Sequence, residues 1–230
     1  MRGIEHVPWL YDAFMRLMEP FGLARWRRRL VAAAGGRVLE VGCGTGLNLP
    51  LYADGCRPVA VDPDYAVLRA ARRRAPDVPL AMARAEALPF RGGTFDTVVS
   101  SLVFCSVDDP RHGLAELGRV LRPGGTLRML EHVRHRNRLL ARVQDVAQPA
   151  WTWLTGGCRP NRDTEAEVER AGFRIIASTR RASGAMRLFS ASPPAPTSSS
   201  WPGTWRGASC APPCRDAPSE DSPCRTSSPL

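Results

Sequence analysis

The residues most able to do chemistry in this chain lie in one ten-residue stretch, Arg37–Gly46, reading R-V-L-E-V-G-C-G-T-G. Gly42, Gly44 and Gly46 recur at every second position after the apolar run Val38-Leu39-Glu40-Val41. A strand ending in such a turn lets backbone approach a ligand closely, because glycine adopts backbone angles that a side chain would forbid. Asp62 closes the next apolar run, Arg57–Asp62, about twenty residues on, where a carboxylate is expected to hold a ribose. A carboxylate accepts several hydrogen bonds and so can engage both ribose hydroxyls. The dinucleotide pattern G-x-G-x-x-G would place its third glycine at position 47, where this chain has Leu47. A nicotinamide dehydrogenase is disfavoured on that ground. Away from the turn, His132 is the best candidate for accepting a proton or orienting a substrate, the alternative being a backbone hydrogen bond at a pocket edge. No paired acid and base stand out. Cys43, Cys56, Cys105 and Cys158 are scattered singly, and Cys210–Cys214 lacks partners at zinc-site spacing, so neither a metal site nor a disulfide framework is expected.

The elements that must position these residues alternate along the chain. Val38–Val41, Arg57–Asp62, Pro79–Arg84, Thr94–Ser101 and Thr126–Val133 read as strands. Helices are expected from Leu47-Asn48-Leu49, where amide groups at the helix start would face the ligand, over Asp64–Arg74 and from Asp108-Asp109-Pro110 to Leu121. Arg122-Pro123-Gly124-Gly125 would end the last of these. Strands alternating with helices predict a parallel, doubly wound α/β sheet. Phe173–Ser178 and Met186–Ala191, around an Arg-Arg-Ala-Ser-Gly turn, would add a closing antiparallel hairpin. Upstream, Trp9–Arg29 carries Leu10, Phe14, Leu17, Met18 and Phe21 at helical recurrence, interrupted by Pro20 and followed by Arg25 and Arg27–Arg29. Two readings stand: a helix that caps the pocket, and a basic amphipathic helix lying on a membrane.

Composition bounds the class. Two hundred and thirty residues suit one ordinary domain, with 43% hydrophobic and 23% charged residues. The formal charge is +10, and every basic residue is arginine, lysine being absent. That bias resembles GC-rich coding, so the charge is not taken to mark a nucleic-acid binder, although it would favour an acidic partner or membrane surface. No apolar run has the length of a membrane span and no secretory pattern opens the chain, so a cytoplasmic location is expected. From Ser192 the composition shifts to Pro, Ser, Cys and Trp without periodicity, which predicts a disordered tail over 192–230. In that tail Arg206, Arg215 and Arg225 balance Asp216, Glu220 and Asp221. The expected organisation is a cap region over 1–30, a catalytic domain over 31–191 and the tail.

The E-x-G-x-G-x-G turn with Asp62 resembles motif I of the class I S-adenosylmethionine-dependent methyltransferases. Ala85-Glu86-Ala87-Leu88-Pro89-Phe90 and Leu121-Arg122-Pro123-Gly124-Gly125-Thr126-Leu127 are similar to stretches of the ubiquinone and menaquinone methyltransferases. A later set, Glu131-His132-Val133, Gln148-Pro149-Ala150-Trp151, Gly157-Cys158 and Asn161-Arg162, with Leu102–Val107, resembles the methyltransferase-like thiol methyltransferases. Animal members of that subgroup carry an N-terminal membrane anchor, which is not apparent here. The resemblance spans roughly Tyr11 to Phe189. It implies a Rossmann-like, mostly parallel seven-stranded sheet with helices on both faces. It also implies S-adenosylmethionine as methyl donor, S-adenosylhomocysteine as product, and a small-molecule acceptor such as a thiol. Cofactor contacts are implied at Glu40, Gly42, Cys43, Gly44, Gly46, Asp62, Pro63, Ala85, Glu86 and Ser101. Cys105, Trp151, Cys158 and Arg162 would line the acceptor site, with His132 and Tyr11 nearest the chemistry. A thiol is already partly ionised near neutral pH, so such an enzyme needs no strong base. A phospholipid or quinone methyltransferase is the alternative on the same scaffold. An RNA methyltransferase or a non-catalytic cofactor-binding protein stands further off, because no appended RNA-binding module is found.

Overall fold

The computed structural model describes residues 3, 4 and 7–194. The tail expected from residue 192 lies almost wholly outside the described residues, as do Cys210, Cys214 and Cys224. The parallel part of the sheet comprises β1 (Arg37–Val41), β2 (Arg57–Asp62), β3 (Leu80–Met82), β4 (Phe95–Ser101) and β5 (Leu121–His132). Three short elements complete it: β6 (Arg174–Ile175), β7 (Arg181–Ser183) and β8 (Met186–Ser192). The order is β3-β2-β1-β4-β5-β8-β6, with β7 paired to β8 alone. Strand β8 runs antiparallel to β5, pairing Met129 with Phe189 and His132 with Met186. The sequence reversal between β2 and β4, which flank β1, places a topological switch point at the carboxyl end of β1. Open sheets of this kind bind ligands there.

Each central strand is buried on both faces, so apolar side chains alternate between two cores. Leu39, Val41, Val98, Leu127, Met129 and Phe189 pack with Leu114 and Leu117 on one side. Val38, Val99, Leu130 and Leu188 pack with Leu30 on the other. Helices therefore cover both faces. They are α1 (Pro8–Met18), α2 (Leu23–Ala32), α3 (Tyr65–Arg74), α4 (Pro110–Val120), α5 (Arg138–Thr155) and α6 (Thr164–Arg170). Asp64 caps α3 by accepting from the Ala66 amide at 2.7 Å, and Asp109 caps α4 through the His112 amide at 3.0 Å. Buried Arg128 of β5 reaches across to α2, donating to the Leu30 carbonyl at 2.6 Å and the Arg29 carbonyl at 3.0 Å. A guanidinium thus satisfies carbonyls at the open end of the helix.

Several sequence expectations change. The helix expected from Leu47 is absent; a 3-10 turn over Leu49–Leu51 takes its place, with Pro50 inside it and the Asn48 side chain diverted to Glu40. The Trp9–Arg29 recurrence divides into α1 and α2 at Glu19–Gly22, where Pro20 sits in a 3-10 turn and Gly22 takes a left-handed φ of 97°. Helix α4 stops at Val120, and Arg122-Pro123-Gly124-Gly125 already belongs to β5, because Leu121 pairs with Phe95 before the register shifts. The Arg-Arg-Ala-Ser-Gly segment contributes β7 rather than a turn, and the strand expected over Phe173–Ser178 shortens to β6 followed by a 3-10 turn over Ala177–Thr179. Helices α5 and α6 have no counterpart among the elements expected from the sequence.

Candidate functional site

The carboxyl ends of β1, β2 and β4 open into a cavity of about 350 Å³. Its first wall is the glycine turn. Gly42, Gly44 and Gly46 all take positive φ, at 66°, 53° and 78°. A Cβ on Gly42 would overlap the Val103 side chain, and one on Gly46 would meet Ala71 Cβ at 3.0 Å. Gly44 differs, since a Cβ there would meet only Tyr11 at 3.9 Å and would otherwise occupy the cavity. The turn is fixed from below by Glu40, which is fully buried and accepts from Asn48 Nδ2 at 2.9 Å and the Tyr52 hydroxyl at 2.8 Å. Burial pushes the Glu40 carboxyl up to about 7, although both of these donors pull it down.

Asp62 forms the second wall. It accepts from the Gly44 amide and the Asp64 amide, both at 2.9 Å, which locks the carboxylate between the glycine turn and the cap of α3. Pro63, Ala85, Glu86 and Ser101 complete this side. From above, α1 presents Tyr11, Phe14 and Met15 to the cavity. Asp12 fastens that helix to the turn, accepting from Thr45 Oγ1 at 2.6 Å and Arg74 Nη2 at 2.7 Å, while Arg74 also donates to the Thr45 carbonyl.

The opposite end of the cavity is assembled from remote segments: Cys105 and Ser106 after β4, His132 at the end of β5, Trp151 and Thr155 of α5, and Cys158. Cys105 and Cys158 lie side by side. The Cys158 thiol is held below the ordinary thiol range, chiefly by the Cys105 thiol and then by His132 and Trp151. Cys105 is held well above that range by Cys158 and by burial. Phe14 of α1 meets Trp151 of α5 with ring centroids 6.2 Å apart, so the two helices close over this end together.

The loop between β4 and α4 is anchored by a residue to which the sequence reading gave no role. Glu131, fully buried, accepts at one oxygen from Ser100 Oγ and the Val103 amide at 3.1 Å and from the Phe104 amide at 3.2 Å. Burial raises its carboxyl to about 7 against those same donors. At the head of this loop Leu102 takes a left-handed φ of 60° while its amide reaches the Leu130 carbonyl at 2.7 Å. Strain of that kind collects where a site dictates the backbone. Arg162 grips the loop from outside, donating to the Phe104 carbonyl at 2.7 Å and the Val107 carbonyl at 2.6 Å.

The structure therefore gathers Tyr11, Gly42, Gly44, Asp62, Pro63, Ala85, Glu86, Ser101, Cys105, His132, Trp151 and Cys158 around one cavity. Glu40, Cys43, Gly46 and Arg162 stand behind its walls. Among the described residues no cluster of three His, Cys, Asp or Glu could hold a metal ion, and no helix is long and apolar enough to cross a membrane.

Residues 39–129 match the family model of a methyltransferase domain. The human thiol S-methyltransferase TMT1B is 37% identical over 161 residues, covering 66% of each chain. The demethylmenaquinone methyltransferase of Renibacterium salmoninarum is 39% identical over 126 residues, covering 53% of each. The chain thus spans between about half and just under two thirds of these relatives. Among solved structures, a SAM-dependent methyltransferase from Thermotoga maritima superposes with a TM-score of 0.62 at 20% identity, covering 81% of this chain and 97% of its own, which speaks to the fold. With its glycine turn, its sheet order and these likenesses, residues 39–129 form a methyltransferase domain, and the chain has the fold of the class I S-adenosylmethionine-dependent methyltransferases.

Proposed function

We propose that this protein transfers a methyl group from S-adenosylmethionine to a small apolar acceptor, with a thiol as the preferred nucleophile. One observation carries the reading: a single cavity joins the glycine turn and Asp62 at one end to Cys105, His132, Trp151 and Cys158 at the other. The residues present fit the donor. Gly44 leaves open space where a side chain would intrude, and Asp62 is pre-oriented by two amides to meet a ribose. Ala85 and Glu86 would border the adenine, with Gly42, Pro63 and Ser101 around them. Glu40, Cys43 and Gly46 would act by holding the turn in shape. When bound, S-adenosylmethionine supplies an already activated methyl group.

The chain's own task is then to align the acceptor, exclude water and receive a proton. Helices α1 and α5 close the acceptor end, which excludes water. His132 would take the proton from an incoming thiol or orient the resulting thiolate. Tyr11 would pack over the reacting centre. Cys158 and Trp151 would shape the acceptor site, and Arg162 would keep its loop in place. A quinone or phospholipid acceptor is the second reading; demethylmenaquinone and phosphatidylethanolamine methyltransferases are among the relatives, and the lining of the cavity as a whole is more apolar than polar.

The deciding experiment offers S-adenosylmethionine with a labelled methyl group to three separate pools: small alkyl thiols, extracted lipids with quinones, and total RNA. Label in the thiol pool supports the first reading. Label in the lipid pool moves the proposal to the second, and label in RNA overturns both.

A further inference from the structure

Helix α5 is built inside out for a protein surrounded by water. An amphipathic surface helix ordinarily turns its apolar stripe to the core and its polar side chains to solvent. Here the polar residues face the body of the protein. Gln144 bonds to the Val133 carbonyl and the His135 amide, and Asp145 bonds to Arg134 and Asn161. Gln148 donates to Thr152, which donates to the Cys158 carbonyl. Only Ala141 and Thr155 of the eighteen helical residues are buried. The apolar stripe faces outward: Leu139, Leu140, Val143, Val146, Trp153 and Leu154 are all exposed, Val146 at 82% and Trp153 at 67%. Their spacing of three, four and seven residues places them along one side of the helix.

The neighbourhood identifies what covers that stripe. Arg136, Arg138 and Arg142 are exposed at its amino-terminal end, while the helix's single acid, Asp145, is engaged by Arg134 and Asn161. Helix α1, joined to α5 through Phe14 and Trp151, exposes Trp9 at 72% and Leu17 as well. Tryptophan beside an apolar stripe, with arginine at the edge, suits the boundary of an anionic bilayer, where the rings sit at headgroup level and the cations meet lipid phosphates. A second copy of this chain would bring a like net charge of +10 against the same face.

We propose that the outer faces of α5 and α1 form a peripheral docking surface for an anionic phospholipid bilayer, which sets the Trp151 and Cys158 end of the cavity beside the lipid. This goes beyond the methyltransferase reading and is independent of it, since docking requires neither cofactor nor acceptor.

The test is co-sedimentation of the full chain with vesicles of phosphatidylcholine alone and of phosphatidylcholine mixed with phosphatidylglycerol. The mixed vesicles should bind the protein, with an affinity that falls as salt rises. Val143→Glu with Val146→Glu should weaken binding at least about tenfold, because it replaces buried apolar contact by charge. Arg138→Gln and Arg142→Gln leave the stripe intact and should each cost roughly fivefold. Circular dichroism of every variant should match the wild type, these side chains being exposed. Equal binding to neutral vesicles, or no loss in the variants, would overturn the proposal. So would a dimer, seen by light scattering, that Val146→Glu splits into monomers, or vesicle binding that emerges only when residues 195–230 are removed.

Discussion

The end of the cavity proposed for the methyl donor and the end proposed for the acceptor, called the donor end and the acceptor end below, are braced by the same device. Each has a buried glutamate at the carboxyl end of a strand, Glu40 on β1 and Glu131 on β5, held by donors from the loop it supports. What they brace differs. Glu40 fixes a turn whose parts are contiguous in sequence, so glycines and acid appear together as a motif. Glu131 fixes a loop some thirty residues away, and the residues opposite it come from α5 and the segment after it. The glycine turn of the donor end is a local structure with a transferable pattern; the acceptor end is an assembly of distant pieces. Cofactor use should therefore tolerate changes at the acceptor end, and acceptor use should be the property that responds to them.

Gly42→Ala should break the donor end most completely. It combines a left-handed φ with overlap on Val103, at a cost of roughly 3 kcal/mol from strain and overpacking together. Denaturant unfolding should show that loss, and calorimetry should show no cofactor binding. Glu131→Ala comes next. It leaves the Val103 and Phe104 amides without their acceptor, at about 2 kcal/mol, and should raise the acceptor KM while leaving cofactor affinity nearly unchanged. An assay with cofactor and acceptor varied separately distinguishes the two effects. Cys158→Ser should be the mildest, a change of roughly threefold in acceptor KM, since it alters the shape and polarity of one wall without opening a cavity.

The paired glutamates also give the halves a common pH signature. Both carboxyls ionise near 7 when folded, against 4.5 in the unfolded chain. Between those values the folded state keeps protons that the unfolded state has lost, so stability falls as pH rises and levels off above about 7. Each group contributes a slope of at most about 1.36 kcal/mol per pH unit. Glu40→Gln and Glu131→Gln should each flatten the curve over that window in chemical denaturation. A curve unchanged by either substitution would mean that the buried carboxyl titrates normally.

What the sequence could disclose follows the same division. Strand periodicity and the glycine spacing revealed the sheet and the glycine turn, because both are set by neighbours along the chain. Asp64 and Asp109 were readable as helix caps for that reason. The helix expected after the glycine turn does not form, since the pattern alone does not show that Asn48 turns to Glu40 rather than extending a helix. Glu131 stood within a recognised cluster, yet its role depends on amides of Val103 and Phe104 that only tertiary folding brings to it. Helix α5 is hidden for a further reason: Pro149, a residue that ordinarily ends a helix, lies inside it, and the apolar stripe that would identify it points away from the core.

The most direct test of this division is calorimetric titration of S-adenosylhomocysteine into the wild type, Asp62→Asn and Cys158→Ser. Asp62→Asn removes the charge that would hold the ribose and should weaken binding about tenfold to a hundredfold, while Cys158→Ser should bind as the wild type does. Equal binding by all three proteins, or equal loss in both variants, would contradict the separation of a donor end from an acceptor end.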